Sequence, residues 1–131
     1  MITAMKGIVG KRRFAASVHL HEDFDGEGLY LYELARGDSW GEALLTAARP
    51  ILATDPRKRI DRWSAKAGLI RPRLRKQRYE RVGHPEALWL FCRHTDHTFT
   101  IETPSEIDIE RRVAAQVAVL AEVARKVFPT T

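Results

Sequence analysis

His19-Leu20-His21-Glu22-Asp23-Phe24-Asp25-Gly26-Glu27-Gly28-Leu29-Tyr30-Leu31-Tyr32-Glu33 is the most informative run in this chain. Phe14 to His21 alternates as a buried strand. Phe14, Ala16, Val18 and Leu20 fall on one face, and Ala15, Ser17, His19 and His21 on the other. The acidic, glycine-containing residues through Gly28 then read as a loop, and Leu29 to Leu34, rich in Tyr and Leu, as a second strand. Histidines and carboxylates thus collect where a strand ends, and neutral imidazole and carboxylate are common N and O ligands of zinc.

Outward from this run, Met1 to Gly10 reads as a short helix. Ser39 followed by Glu42 spells a capping box for a helix with Ala43, Leu44, Ala47 and Ala48 on its apolar face, ended by Pro50. Residues 54 to 83 read as irregular and basic, broken by Pro56, Gly68, Pro72 and Gly83. Pro85 suits the first turn of a helix over Glu86 to His94. His97 to Thr103 is a third strand, with Phe99 and Ile101 on one face and Thr98, Thr100 and Glu102 on the other. Ser105 and Asp108 are expected to cap a last helix. There Ile109, Val113, Val117, Leu120, Ala124 and Val127 form one apolar stripe. The pattern is α/β: a mixed sheet flanked by helices, with a long amphipathic C-terminal helix. The acidic loop and Glu102 both follow strands, where open α/β sheets place their sites.

The 131 residues suit one domain, or a piece of one. No segment is long enough to cross a membrane, and the first residues lack the features of a signal peptide. Cys92 is the single cysteine, so a reducing cytoplasm is the default setting and a buried apolar thiol its expected role. The chain's net charge is +5, and its positive excess is concentrated from Arg57 to Arg81, where Arg57, Lys58, Arg59, Arg62, Lys66, Arg71, Arg73, Arg75, Lys76, Arg78 and Arg81 oppose only Asp61 and Glu80. Such a stripe attracts polyanions, and Trp63 and Tyr79 are available to stack on bases. No nucleic-acid motif accompanies the charge, so a solvated surface, a partner contact or a patch for an anionic substrate ranks first.

Two motifs carry a resemblance to a known family. His21-Glu22-Asp23-Phe24-Asp25-Gly26-Glu27-Gly28, followed by Leu29-Tyr30-Leu31-Tyr32-Glu33, resembles the third zinc-ligand motif of zinc carboxypeptidase-like metallopeptidases. The branch it resembles holds succinylglutamate desuccinylase and aspartoacylase. Thr98-Phe99-Thr100-Ile101-Glu102-Thr103-Pro104-Ser105 resembles that family's catalytic glutamate strand, and Ile60-Asp61-Arg62-Trp63 through Gly68-Leu69-Ile70 has a less specific likeness. The resemblance covers about residues 13 to 128. It implies the C-terminal part of a larger catalytic domain, with zinc as cofactor and a peptide or N-acylated amino acid as substrate. His21 is then a metal ligand and Glu102 the general base. Tyr30 and Tyr32 shape the pocket, and Glu22 and Asp23 orient His21.

The family's first two ligands come from an upstream His-x-x-Glu motif, and only about twenty residues precede His21. His19-Leu20-His21-Glu22 spells that motif but overlaps the third, and on a strand His19 and Glu22 face opposite ways, so the match is read as coincidence. A His19/His21 pair of the kind used in amidohydrolase barrels needs a longer chain than this. His19 therefore reads as a packed or hydrogen-bonded histidine, and His84, His94 and His97 as loop or helix-end residues. The resulting expectation is a truncated hydrolase segment, inactive alone, whose site an upstream polypeptide or a homo-oligomer completes. A non-catalytic interaction remnant of the same fold is the alternative, with a small basic nucleic-acid-binding protein behind it.

Overall fold

The computed structural model describes residues 2–73 and 85–130. His84 and the positions Arg75, Lys76, Arg78, Tyr79, Glu80 and Arg81 lie outside them. In chain order the elements are α1 (Ile2–Val9), β1 (Ser17–Asp23), β2 (Tyr30–Ala35), α2 (Gly41–Ala48), β3 (Arg59–Ile60), β4 (Trp63–Lys66), β5 (Leu69–Ile70), α3 (Pro85–Arg93), β6 (His97–Pro104) and α4 (Ile109–Val127). The strands form one mixed sheet in the order β1-β6-β2-β5-β4-β3. β1 runs parallel to β6, β6 antiparallel to β2, and β2 parallel to β5.

Alternation along β2 and β6 sends Leu29, Leu31, Phe99 and Ile101 to one face, all fully buried. There they meet Leu44 and Leu45 of α2 and Ala115, Val119 and Val123 of α4. Each fully buried Leu, Ile or Phe contributes about 1.5–3 kcal/mol by leaving water. The opposite face carries Tyr30, Tyr32, Ile60 and Ile70, with Trp63 and Ala65 against them. The buried Thr98, Thr100 and Glu102 belong to that second face.

Several expectations are corrected. β1 begins at Ser17 and runs through Asp23, and it is the edge strand of the sheet, so Leu20 is 46% exposed and Phe14 39%. The segment expected to be irregular holds β3, β4 and β5, joined by two-residue turns. In the second turn Ala67 and Gly68 both have positive φ, as a type I′ hairpin turn requires. Ser39 does not cap α2: Trp40 is the cap residue and makes no side-chain cap bond. The Ser39 hydroxyl donates instead to buried Glu33 at 2.5 Å, and the same carboxylate accepts the Trp40 and Gly41 N–H groups at 2.7 and 2.8 Å. Asp108 precedes α4 without a side-chain cap bond. Cys92 is exposed, not buried, in the last turns of α3.

The largest correction concerns α4. The stripe expected to face the core is mostly outside, with Ile109, Val113, Val117 and Leu120 between 38% and 60% exposed. The small residues Ala115, Val119 and Val123 face inward, because they let the helix lie close to α2. Both faces of this helix are apolar, so periodicity alone selects neither.

Candidate functional site

β1 and β6 run parallel, and their register sets His21 beside Glu102. β6 and β2 run antiparallel, and theirs sets Tyr30 beside the same Glu102. A row His21–Glu102–Tyr30 therefore crosses three adjacent strands on one face. His21 Nδ1 lies 3.6 Å from Glu102 Oε1, with the imidazole about half exposed and the carboxylate buried. Both residues stand near the carboxyl ends of their strands.

The surroundings are acidic and tied by hydrogen bonds. The Tyr30 hydroxyl donates to Asp23 Oδ2 at 2.6 Å, and the Tyr32 hydroxyl donates to Asp61. Arg57 reaches Asp23 at 3.8 Å and holds the fully buried Asp55 at 2.8 Å. Asp55 also accepts the N–H of Glu27 at 2.9 Å, which fixes the loop between β1 and β2. Gly28 makes this approach possible: a Cβ there would lie 2.6 Å from the Asp55 backbone nitrogen.

These neighbours decide the proton affinities. Burial, then the charges of Asp23 and Asp61, push the Glu102 carboxyl up from 4.5 to about 7. Burial and the bond to Asp23 push the Tyr30 hydroxyl well above its usual range, and burial and Asp61 do the same for Tyr32. For Asp55, burial alone would raise the carboxyl, but hydrogen bonds from Arg57 and the Glu27 N–H outweigh it and hold it low. The site thus combines an imidazole with a carboxyl that can keep or release a proton near neutral pH.

His21, Glu102, Asp23, Tyr30 and Tyr32 are brought to one face. Glu22 is not: its carboxylate pairs with Arg112 of α4, on the far side of the sheet from His21. It cannot orient that imidazole as the sequence suggests. His19 lies 3.4 Å from the Ser17 hydroxyl, which donates onward to Thr98. His97 stacks on Trp40 at 3.8 Å between ring centroids, and His94 Nδ1 meets the Arg12 carbonyl at 2.7 Å. Sequence reasoning misses Asp55, Arg57 and Asp61. The first two stand two residues apart in a stretch that reads as merely basic, and their pairing with the loop before β2 leaves no local signature.

Among the described residues no group of three His, Cys, Asp or Glu side chains is arranged to hold a metal ion. His21 is the one assigned donor, two short of the three protein ligands usual for catalytic zinc, since Glu102 is the expected base. The residues present therefore do not by themselves fit the metal that the sequence motifs imply.

No family model matches the sequence, and no curated protein matches it. Solved structures do share the fold. A candidate metallopeptidase from Shewanella amazonensis SB2B superposes with a TM-score of 0.75 at 16% identity, over 98% of this chain and 46% of its own. A second, from Shewanella denitrificans OS217, gives 0.71 at 19% identity, over 98% and 46%. A third, from Shewanella baltica OS155, gives 0.71 at 19%, over 94% and 44%. This chain shares the fold of these candidate metallopeptidases and spans less than half the length of each. No helix among the described residues is long and apolar enough to cross a membrane.

Proposed function

We propose that this chain is the C-terminal part of a zinc carboxypeptidase-like hydrolase of the succinylglutamate desuccinylase/aspartoacylase-like branch, acting on a peptide or N-acyl amide bond. His21 is its contribution to the metal and Glu102 its general base. The observation that carries the reading is the His21–Glu102 pair at 3.6 Å on the carboxyl ends of two parallel strands, with the carboxyl raised to about 7. The likeness in fold to candidate metallopeptidases of about twice the length supports it. The remaining ligands come from another polypeptide segment, so the chain alone is expected to be inactive.

Two measurements test this. After dialysis against a dilute chelator, the chain alone should retain little zinc by elemental analysis. Stoichiometric zinc would mean that the ligand set is already complete. Joined to an upstream segment bearing a His-x-x-Glu motif, the chain should retain zinc and hydrolyse N-acylated amino acids. There Glu102→Gln should abolish turnover with zinc still bound, and His21→Ala should lose the metal. An unchanged rate in Glu102→Gln would remove the assignment of the base. The missing donors favour one other reading, a non-catalytic remnant kept for interaction, and failure to gain zinc in the joined protein would select it.

A further inference from the structure

The β3–β4 hairpin straps the face that carries Glu102, and both of its roots are pinned at the start of β2. At one root the Asp55 N–H donates to the Leu29 carbonyl at 2.9 Å, and the buried Asp55 carboxylate grips Arg57. At the other the Gly68 carbonyl accepts the Leu31 N–H at 2.8 Å. A Cβ on Gly68 would lie 2.7 Å from the Leu29 oxygen, so this root has no slack. Between the roots the ladder is short, pairing Arg59 with Ser64 and Ile60 with Trp63. The chain reverses at Asp61, where the Arg62 N–H donates to the Ile60 carbonyl at 3.0 Å and φ is 51°. A three-residue turn with positive φ at a residue other than glycine is strained. Contacts with β2 hold that tip closed. The Tyr32 hydroxyl donates to the Asp61 carboxylate, and Ile60 and Trp63 pack with Tyr30 and Tyr32 in the smaller of the two apolar clusters. Tyr30 stands beside buried Glu102, and the Asp61 charge bears on the Glu102 carboxyl. The tip thus walls Glu102 on its β2 side.

We propose that this hairpin is a flap, hinged at residues 55–58 and 66–68 and latched by Tyr32 and Asp61, whose opening admits water and substrate to Glu102 from the β2 side. Opening relaxes the turn at Asp61. It breaks a short ladder, one hydroxyl–carboxylate bond and the packing of Ile60 and Trp63. β2 and β6 keep their own pairing throughout, so the motion is a local one. Closures of this kind turn on a few residues at the ends of elements, and both roots of the hairpin are such places. The role of Glu102 as base rests on the zinc reading above; the motion of the hairpin does not.

Amide hydrogen exchange of the chain, followed by NMR in increasing low urea, tests the proposal. The Arg62 and Ala65 amides, both bonded inside the hairpin, should exchange through an opening that urea hardly promotes. The Phe99 and Ile101 amides of β6 should exchange only through an opening that urea promotes strongly. Tyr32→Phe keeps the ring and removes the latch hydroxyl. It should speed the hairpin amides by about tenfold or more and leave those of β6 unchanged. Asp61→Ala, at an exposed position, loses the acceptor and keeps the strained turn, so it should act in the same sense without touching β2. In both variants the labelling of Glu102 by a water-soluble carbodiimide and a small amine, read by mass spectrometry, should accelerate with the hairpin amides. Hairpin and β6 amides exchanging at one shared, urea-dependent rate would overturn the flap. Faster hairpin exchange with unchanged labelling of Glu102 would overturn the access route. Neither readout needs metal or turnover, so a zinc site that fails in the joined protein leaves this result standing.

Discussion

Glu102 differs from its neighbours Thr98 and Thr100 on the same face in being able to charge, and that makes the fold pH-dependent. Its folded-state affinity for a proton, raised from 4.5 to about 7, favours the folded chain when the carboxyl is protonated. The associated stability is complete below about pH 4.5 and is lost as pH rises through 7, amounting to at most about 3 kcal/mol. Glu102→Gln is neutral throughout. Urea midpoints should therefore show the variant matching wild type near pH 4 and exceeding it at pH 8. Parallel profiles for the two proteins would mean that the carboxyl is not the group responsible.

At the scale of elements, α2 depends on one carboxylate from the neighbouring strand. Glu33 accepts the N–H groups that open the helix, the Ser39 hydroxyl and the Arg71 guanidinium at 2.9 Å. Burial alone would raise its carboxyl, yet these bonds hold it below the usual value. Its contribution is present above the unfolded carboxylate range and is lost as pH falls through the folded value. Glu33→Gln should cost about 2–4 kcal/mol at pH 7, read as a loss in urea stability, because buried donors lose a charged acceptor. Gly28→Ala should cost about 1–3 kcal/mol, since backbone atoms of residues 53–55 occupy the space a methyl group needs. A neutral effect would show that this loop can shift.

The Glu33 arrangement also explains what the sequence conveys and what it hides. The long strands and α3 are legible from alternation, proline placement and length. β3, β4 and β5 run only two to four residues each, too short for a period-two pattern. Ser39 and Glu42 spell a local cap, but a carboxylate six residues before Ser39 takes the hydroxyl. α4 offers two apolar faces, and only the packing against α2 chooses between them. In the candidate site, His21 and Glu102 are legible as two motifs. Asp55, Arg57 and Asp61 act through contacts made by the fold.

For the molecule as a whole, part of the basic composition is paired with carboxylates of the fold. Arg57 and Arg71, both in the basic run, are engaged by Asp55 and Glu33. That leaves less free charge than the sequence suggests, so polyanion binding should be weak, indifferent to sequence and abolished at physiological salt. A fluorescence titration at two salt concentrations checks this; tight sequence-selective binding would favour a nucleic-acid role instead.

The strand order has a consequence for synthesis. β6 lies between β1 and β2, yet it is the last strand to be made. A chain emerging from the ribosome therefore holds β1 and β2 with no partner between them until residue 104 is outside the exit tunnel. The helix that covers them, α4, follows later still. Domains whose pairings span most of their length gain little from beginning to fold early. Nascent chains arrested before β6 should stay protease-sensitive throughout β1, and protection should arrive in one step once α4 is released. Until then the hydrophobic residues of β2 lack the β6 strand that pairs with them, and they stay open to chaperones and proteases alike.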